Sequence, residues 1–433
     1  MSQFRLARIS LILAAIGLNA APALLGMSVA TAEEKAAPAP EAPKDVVRPE
    51  MYKLIDPAQT KELLAAKNFA EMKNRLDLVA ALPNLTPYET YILNQCRVQL
   101  GSASGDNAML LPALNVMIES GRMAPKDKLN FINATANIYY TNKDFEKAIT
   151  WFNRYVAEGG DAASVRPQLI RAYFFKDDFA TAKTEVKKDI AAAESAGKAP
   201  AQDTLTLLGN LGIKTKDNGL YLEAIELLTK YHPTEAYWMD LLSRTRGKSS
   251  YSPRFDLDLI RLKAVAAPSK MEPEDYAEYA DLALLGGFFT EAKNALDKGY
   301  PGALPAGKDG VALKGLRDKA NKGAADDAKN IGAGEAPAQK SKDGVGLVNL
   351  GYAYVTMGQF DKGIDLMKQG IAKGVAKNPE DAKLRLGYAM ALAGKTDESI
   401  KLLQGVTGND GRGELARYWI NWEANPANQQ AAK

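Results

Sequence analysis

Cysteine and histidine are almost absent from this sequence of 433 residues, which contains a single copy of each, Cys96 and His232. Disulfide frameworks need cysteine pairs, and zinc sites made of histidine and cysteine need three or four such ligands. Both are excluded within one chain, and nucleophilic catalysis with a histidine base would have to use His232. We therefore predict no metal, no cofactor and no catalytic residue, and we expect a protein that is not an enzyme.

An excess of charge of either sign is also missing. Lysine and arginine number 55 against 52 aspartates and glutamates, a net charge of +3 that falls to +1 without Arg5 and Arg8 of the predicted leader. A chain so close to neutrality has no global field that would concentrate nucleic acid or an anionic membrane on its surface, and we expect no nucleic-acid partner. The composition, 46% hydrophobic and 25% charged, is typical of globular proteins.

Long apolar runs are confined to the N-terminal region. Arg5 and Arg8 precede an apolar stretch over residues 9–25, and Ala30-Thr31-Ala32 places small residues where a signal peptidase reads them. The pattern predicts a signal peptide over residues 1–32 that is cleaved on export, with no integral membrane segment in the processed chain.

The alternative for this leader is an uncleaved membrane anchor. Asn19 and Pro22 interrupt the apolar stretch, which leaves fewer than the ~20 clean residues that a membrane span needs. No cysteine follows the leader directly, which argues against lipid tethering. Residues 33–57 are rich in alanine, proline, glutamate and lysine and short of large apolar side chains, so we predict a disordered tether there.

A pattern of aromatic and small residues recurs along the chain. In the first half it repeats after 34 residues, and the residues that recur are Tyr139 and Tyr173, Phe145 and Phe179, and Ala148 and Ala182. Near the C-terminus Leu350-Gly351-Tyr352-Ala353 recurs 36 residues later as Leu386-Gly387-Tyr388-Ala389. Such periods are typical of arrays in which each repeat is one pair of helices. No useful stretch alternates between apolar and polar residues, so we expect an all-α chain.

These motifs resemble the tetratricopeptide repeat family, whose unit has Leu-Gly-x-x-Tyr in a first helix, Gly-x-Phe at a turn and Ala-x-x-x-Phe in a second helix. Small residues, which let two helices approach closely, occur in four pairs: Ala136 with Ala148, Ala280 with Ala292, Gly351 with Gly363, and Gly387 with Ser399. The resemblance implies an α-solenoid of stacked helix pairs. Residues 413–424 fit a capping helix with an apolar stripe of Leu415, Tyr418, Trp419 and Trp422.

The repeats are less regular in the middle of the chain. We predict extra turn residues at 214–219 within one helix pair and a stretched turn at 247–253 in the next. A shift towards glycine, alanine, proline and lysine marks residues 301–345, where we predict a linker with one amphipathic helix over 311–328. The predicted segments after the tether are an N-terminal array over 58–300, this linker, C-terminal repeats with the capping helix over 346–424, and a tail over 425–433.

The processed chain as a whole is similar to exported Proteobacterial tetratricopeptide repeat proteins, and more weakly to those encoded beside TonB-type systems. The motifs that carry this similarity include Thr86-Pro87-Tyr88-Glu89, Asp144-Phe145-Glu146-Lys147-Ala148-Ile149 and Gly358-Gln359-Phe360. The resemblance implies a periplasmic scaffold that binds another protein or peptide, such as a component of a TonB-type or other envelope complex. The alternative is a cell-envelope enzyme, or enzyme subunit, that acts on cell-wall polymer.

The predicted partner site is the concave groove lined by first helices, where tetratricopeptide arrays commonly bind extended peptides. The repeat register places seven residues on it: Asn130, Asn133, Asn137, Tyr140, Arg171, Phe174 and Phe175. Asparagine amides can pair with a peptide backbone, arginine can bind a carboxylate, and aromatic rings offer contact area. The alternative is a polar face whose aromatic residues pack on the next repeat.

Four further features have structural interpretations. We expect His232 to end a helix, where the helix dipole favours an imidazolium, and Cys96 to be a small buried hydrophobic residue. Gly394-Lys395-Thr396 resembles the end of a phosphate-binding loop, but the glycine that such a loop needs five residues earlier is absent. We expect Asp256 and Asp258 to begin a helix or to face solvent.

Overall fold

The computed structural model describes residues 45–425 and residue 428. In this part of the chain the regular elements are helices and no strand occurs, which confirms the all-α prediction. The predicted signal peptide over residues 1–32 lies outside the described residues, as do residues 33–44 of the predicted tether and most of the predicted tail.

The chain folds as two compact units, with the boundary after Ala182, inside helix α9 (Phe179–Ser195). The other helices of the first unit are α1 (Pro49–Leu54), α2 (Pro57–Ala65), α3 (Phe69–Ala80), α4 (Pro87–Ser104), α5 (Asn107–Glu119), α6 (Pro125–Thr141), α7 (Phe145–Ala157) and α8 (Ala162–Phe175).

The second unit contains the remaining helices. They are α10 (Gln202–Thr215), α11 (Asn218–Tyr231), α12 (Glu235–Arg246), α13 (Asp256–Ala266), α14 (Pro273–Leu285), α15 (Phe289–Gly299), α16 (Gly307–Asn330), α17 (Glu335–Lys340), α18 (Val345–Thr356), α19 (Phe360–Lys373), α20 (Pro379–Leu392), α21 (Thr396–Leu403) and α22 (Arg412–Glu423).

Helices that are joined by short turns pack against each other, as the repeat pattern predicts. The pairs with extensive contact are α4 with α5 and α6 with α7 in the first unit, and α10 with α11, α14 with α15, α18 with α19 and α20 with α21 in the second unit. The predicted architecture of stacked helix pairs is therefore confirmed. None of the described helices is both long and apolar enough to cross a membrane.

Small residues stand where paired helices come closest. Ala136 and Ala148 are fully buried between α6 and α7. A methyl group on Gly351 would lie 2.5 Å from the carbonyl oxygen of Gly363, so no larger residue fits between α18 and α19 without a shift of the backbone. The predicted small-residue crossings are confirmed, and they set the spacing of each pair.

The predicted disordered tether is wrong over its second part, residues 45–57. This segment contains α1 and the start of α2, and Met51 is completely buried. Arg48 donates two hydrogen bonds of 2.7 Å to the two carboxylate oxygens of Glu89, and this pairing lowers the pKa of Glu89 to about 2. Glu89 and Thr86 also complete the predicted capping box of α4. Composition alone did not predict that residues 45–57 are ordered, because a single ion pair and a few apolar residues hold this segment in place.

The compact units also differ from the predicted division at residues 301–345. α16 extends beyond the predicted helix at both ends and packs against α15, with Leu313 and Ala320 buried. The short α17, which was not predicted, packs against α18. An alanine- and lysine-rich helix can still cover its neighbours through one narrow apolar stripe, so the composition shift does not mark a unit boundary.

The middle helix pairs are more regular than predicted in one case. Residues 214–215 and 218–219 are helical, and residues 216–217 alone connect α10 to α11. The predicted stretched turn over 247–253 is confirmed, and a short 3-10 turn at Pro253–Phe255 follows it.

The predicted capping helix corresponds to α22, in which Leu415, Tyr418 and Trp419 are buried. It packs against α20 and α21, and also against α11 and α13 from much earlier in the chain. Trp422 Nε1 donates to the carbonyl oxygen of Val265 at 3.3 Å. α22 therefore covers the end of the C-terminal repeats and joins them to the middle of the second unit.

Gly351→Leu should destabilise the protein by about 2 kcal/mol, because the new side chain must push α18 and α19 apart. The matched control is Gly315→Leu on α16, where an added Cβ meets no atom within 4 Å and helix propensity improves. Urea unfolding measures both free energies. Equal destabilisation by the two variants would contradict the close approach of α18 and α19.

Stability should also depend on the buried carboxyl of Glu423, which accepts a hydrogen bond of 2.6 Å from Ser399 Oγ. Burial raises its pKa to about 7, so folding favours the protonated form. This stabilisation is complete below the ordinary carboxyl pKa and is lost as pH rises to about 7, an effect of at most about 3 kcal/mol. Urea unfolding across this pH range should show it in the parent. Glu423→Gln should remove the dependence, and an unchanged pH profile in that variant would refute it.

Candidate functional site

The predicted partner face begins with a polar stripe on α6. Asn130 is exposed, whereas Asn133 and Asn137 are half-buried. Asn137 Nδ2 donates to the carbonyl oxygen and to Oδ1 of Asn133, at 2.8 Å each, so the two amides are held together. Tyr140, at the end of the stripe, packs edge-on against Phe145, with ring centroids 5.6 Å apart. The structure thus keeps four predicted residues along one helix.

Of the three predicted residues on α8, two lie at the surface and one is buried. Arg171 is half-buried, and Phe175 is 51% exposed and stacks on Phe145 of α7 with ring centroids 5.0 Å apart. Phe174 is 9% exposed and packs against Phe179, so a partner cannot reach its ring. The prediction for Phe174 is therefore wrong, because the helix turns this position towards α9.

The aromatic residues of this face follow the alternative interpretation, since Tyr140 and Phe175 both contact Phe145 on the neighbouring helix. The asparagine stripe of α6 and Arg171 stay at the surface. That a partner binds in this groove remains a prediction, and it now rests on the asparagines of α6 and on Arg171.

The features with structural interpretations are confirmed. His232 ends α11, with Nε2 2.7 Å from the carbonyl oxygen of Pro200. Cys96 is buried among apolar residues, and burial raises the pKa of its thiol to about 12. Gly394-Lys395-Thr396 occupies the turn from α20 to α21. Across residues 45–425, no group of three acidic, histidine or cysteine side chains is placed to hold a metal ion.

Asp256 and Asp258 lie in the first turn of α13, which confirms that they begin a helix, but the Asp258 side chain is 1% exposed rather than solvated. It belongs to a buried network centred on Arg261 of α13. Arg261 donates to Glu291 through Nε and Nη2, at 2.8 and 2.7 Å, and to Asp258 at 3.0 Å. Tyr388 accepts from Arg261 at 2.6 Å and donates to Asp258 at 2.7 Å, and Tyr279 donates to Glu291 at 2.8 Å.

Aromatic rings complete the surroundings of Arg261. Its guanidinium carbon lies 4.2 Å from the ring centroid of Tyr352 and 5.0 Å from that of Phe288. Burial lowers the pKa of Arg261, but Glu291 and the neighbouring tyrosines outweigh burial and hold it well above its usual value. The guanidinium is therefore charged, and it donates four hydrogen bonds. It joins α13 and α15 to α18 and α20.

Arg385 extends this network towards the surface. Its Nε lies 3.6 Å from Asp258 Oδ1, and the Asp258 carboxylate raises the pKa of Arg385. The side chain is 27% exposed, yet its guanidinium donates no hydrogen bond to any residue that the structure describes. An arginine presents five N–H donors in a planar fork, so this one retains the capacity to bind an anion.

A cavity of about 200 Å³ adjoins Arg385 between α18, α20 and the turn before α20. Asn349, Lys377 and Asn378 also line it, and their side chains have no hydrogen-bond or ion-pair partner within residues 45–425. Asp381, the acidic residue of the lining, is already bound by Arg254 and Arg412, at 3.1 and 3.0 Å. The cavity is therefore electropositive and rich in unused donors. Its volume admits a carboxylate-bearing group but not a folded domain.

A larger groove of about 1030 Å³ lies beside α11, the end of α12 and α22. Its charged residues mostly pair with each other: Arg417 binds Glu226 at 2.7 Å, and Lys248 binds Glu414 at 2.6 Å. These ion pairs join α22 to the earlier helices. The groove is thus a seam of the second unit, and its charges are already in use.

Sequence reasoning missed the Arg385 cavity. Asn349 and Arg385 occupy equivalent positions two residues before Gly351 and Gly387, so repeat register places both on first helices. That signal was available. The exposure of Arg385, its unused donors and the approach of Asp258 depend on packing between sequence-distant helices.

One segment of the chain matches a known protein family. Residues 348–413 match the family model described as tetratricopeptide repeat, and this span runs from α18 to the start of α22. It contains the predicted crossings of Gly351 with Gly363 and Gly387 with Ser399, which confirms the repeats there. No curated protein matches the chain.

Three solved structures show similarity to this chain. The TPR2AB-domain:pHSP90 complex of yeast Sti1 is 14% identical, with 69% of this chain and 99% of that chain covered and a TM-score of 0.23. Naa15/Naa10 bound to HypK-THB is 13% identical, covering 82% and 62%, with a TM-score of 0.29. The P58(IPK) TPR domain is 14% identical, covering 83% and 100%, with a TM-score of 0.21. These scores are low, so the architecture stands on the helix pairs described above.

Proposed function

We propose that this tetratricopeptide-repeat protein is a scaffold that binds a peptide segment of a partner protein, without catalysis of its own. The repeat is a protein-interaction module, and its match over residues 348–413 supports this function. The observation that carries the proposal is the Arg385 guanidinium, which adjoins a cavity and has no hydrogen bond among the described residues.

The chemistry of the cavity selects a carboxylate from the partner. A carboxylate accepts two parallel N–H bonds from an arginine fork, and charge-assisted bonds of this kind are stronger than neutral ones. Lys377 adds a second cation at the cavity, and the Asn349 and Asn378 amides can donate to the peptide backbone beside the carboxylate. The partner group is therefore a peptide C-terminus or an aspartate or glutamate side chain.

The polar face of α6 and α8 is the second proposed contact surface, in the first unit. Asn130, Asn133 and Asn137 line one side of α6, and Arg171 belongs to α8. These side chains suit an extended peptide backbone with an acidic residue.

The alternative, an enzyme that acts on cell-wall polymer, would need two carboxylates facing a cleft. The deeply buried carboxylates Asp258 and Glu291 are instead bonded to Arg261. This arrangement favours the scaffold over the enzyme.

We propose a periplasmic location, which rests on the signal peptide that the sequence predicts over residues 1–32. The partner is then a protein of the cell envelope, such as a component of a TonB-type complex. The near-neutral net charge of the chain is compatible with a role in binding other proteins.

Arg385→Gln should weaken carboxylate binding by about tenfold, because it replaces the charged fork with a shorter, neutral amide. Peptides that bind the purified protein are first selected from a random library whose members are displayed with free C-termini. Each selected peptide is then made with a free C-terminus, with a C-terminal amide, and with its acidic side chains amidated. Calorimetry should show that one of these changes lowers the affinity of the peptide about tenfold for the parent protein. The same change should not lower the affinity further for Arg385→Gln.

The matched control is Lys401→Ala, an exposed cation on α21 that does not line the cavity. It should leave affinity unchanged, and circular dichroism should show that every variant is folded. Arg171→Ala with Asn137→Ala tests the face of α6 and α8 with the same peptides. Peptides whose affinity is changed neither by amidation nor by Arg385→Gln would refute the carboxylate site, and unchanged binding by the double variant would discard the second surface.

Export predicts that the mature chain starts at Glu33. Mass determination and N-terminal sequencing of protein from a periplasmic extract measure this start. Ala32→Arg should block cleavage, because a large cation replaces the small residue before the cut. A chain that keeps residues 1–32 and stays in the cytoplasmic fraction would contradict the proposed location.

A further inference from the structure

A second cavity, of about 400 Å³, lies beside the Arg385 cavity in the second unit. It is bounded by the turn between α14 and α15, the end of α16, the short α17 and one face of α18. Asn349 of α18 lines both cavities, so the two adjoin at this side chain.

The walls of this second cavity are mainly apolar. Ile331, Ala338 and Leu350 are half-buried, and the parts of their side chains that do not pack on the core border the cavity. Most of the remaining lining residues are glycine or alanine, which bring few side-chain atoms into the space. Such a cavity suits an unbranched aliphatic chain.

One charged group stands in these apolar surroundings, the carboxylate of Asp327 on α16. It is half-buried and has neither a hydrogen bond nor an ion pair within residues 45–425. Burial and the neighbouring Asp326 raise the pKa of Asp327, because both disfavour its charged form. A carboxylate in an apolar environment is costly unless a cation pairs with it.

A lysine side chain has the chemistry that this cavity lacks. Its methylene groups can pack along the apolar walls while its ammonium binds the carboxylate. Arginine fits less well, because a guanidinium has five N–H donors against three in an ammonium. The side chains of the lining offer acceptors at Asp327 and Asn349 alone.

We propose that the Asp327 cavity binds a lysine of the same peptide whose carboxylate binds Arg385, an inference that rests on the proposed function and deepens it. The peptide backbone crosses Asn349, with the carboxylate on one side and the lysine on the other. Because one side chain borders both cavities, the two charged groups are close together in the peptide. A peptide with acidic groups at both places is rejected, since its second carboxylate would face Asp327.

The test uses the peptides that are selected on the purified protein. Each is made again with its lysines replaced one at a time by norleucine, which keeps the aliphatic chain and removes the ammonium. Calorimetry should show that one replacement lowers the affinity for the parent protein by about tenfold. Asp327→Asn should lower the affinity of the unchanged peptide by a similar factor, and norleucine should lower it no further in this variant.

The matched control is Asp326→Asn, which removes the same charge from an exposed neighbour that does not line the cavity. It should change the affinity by less than about twofold. Gly346→Leu tests the space itself, because an added Cβ at this exposed glycine meets only Ala338, at 3.6 and 3.8 Å, and the longer side chain would fill part of the cavity. It should weaken binding of the lysine peptide, and circular dichroism should show that every variant is folded.

The outcomes separate this inference from the proposed function. Binding that depends on Arg385 but on neither a lysine nor Asp327 would overturn the lysine site and leave the carboxylate site standing. Binding that depends on a lysine and on Asp327 but not on Arg385 would support the lysine site and refute the carboxylate site. An equal loss in Asp326→Asn would assign the effect to the general charge of α16 and overturn the lysine site. A library without any binder would overturn both.

Discussion

The close approach of paired helices is the constraint on which the rest of this structure depends. At each crossing a glycine, alanine or serine separates two backbones, as Gly351 and Gly363 do between α18 and α19. Larger side chains then fill the space on either side, and the same solution recurs in both compact units. This constraint turns a loose repetition in the sequence into a regular series of helix pairs.

In the second unit a buried charge adds what close packing alone does not supply. Arg261 is 2% exposed and bonds to two carboxylates and a tyrosine that come from three different helices. Replacement by apolar residues of the same shape can be as stable, but loss of a single partner leaves an unpaired buried charge, which is strongly destabilising. The network therefore favours one arrangement of α13, α15 and α20. Arg385, fixed next to Asp258, is the member that reaches the surface with unused donors.

The candidate sites were predictable to different degrees. Helical periodicity placed Asn130, Asn133 and Asn137 on one stripe of α6, and the structure keeps them there. The same reasoning put Phe174 on the surface, where one step in register decides between solvent and interior. The composition of residues 45–57 predicted disorder, but the ion pair of Arg48 with Glu89 orders the segment. Pairwise contacts between distant residues leave no pattern in a single sequence, so these features were beyond its reach.

The amino-acid sequence by itself determined that the chain is helical, that its helices come in pairs, where small residues separate them, and which residues form the capping helix α22. It could do so because these properties follow from local propensity and from periodic patterns within about 40 residues. Tertiary structure alone decided the place of the unit boundary, the burial of Asp258 and the contact of α22 with α11 and α13. Each of these depends on which surfaces meet after the helices have formed, and that choice is made by the summed packing and charge of residues far apart in the chain.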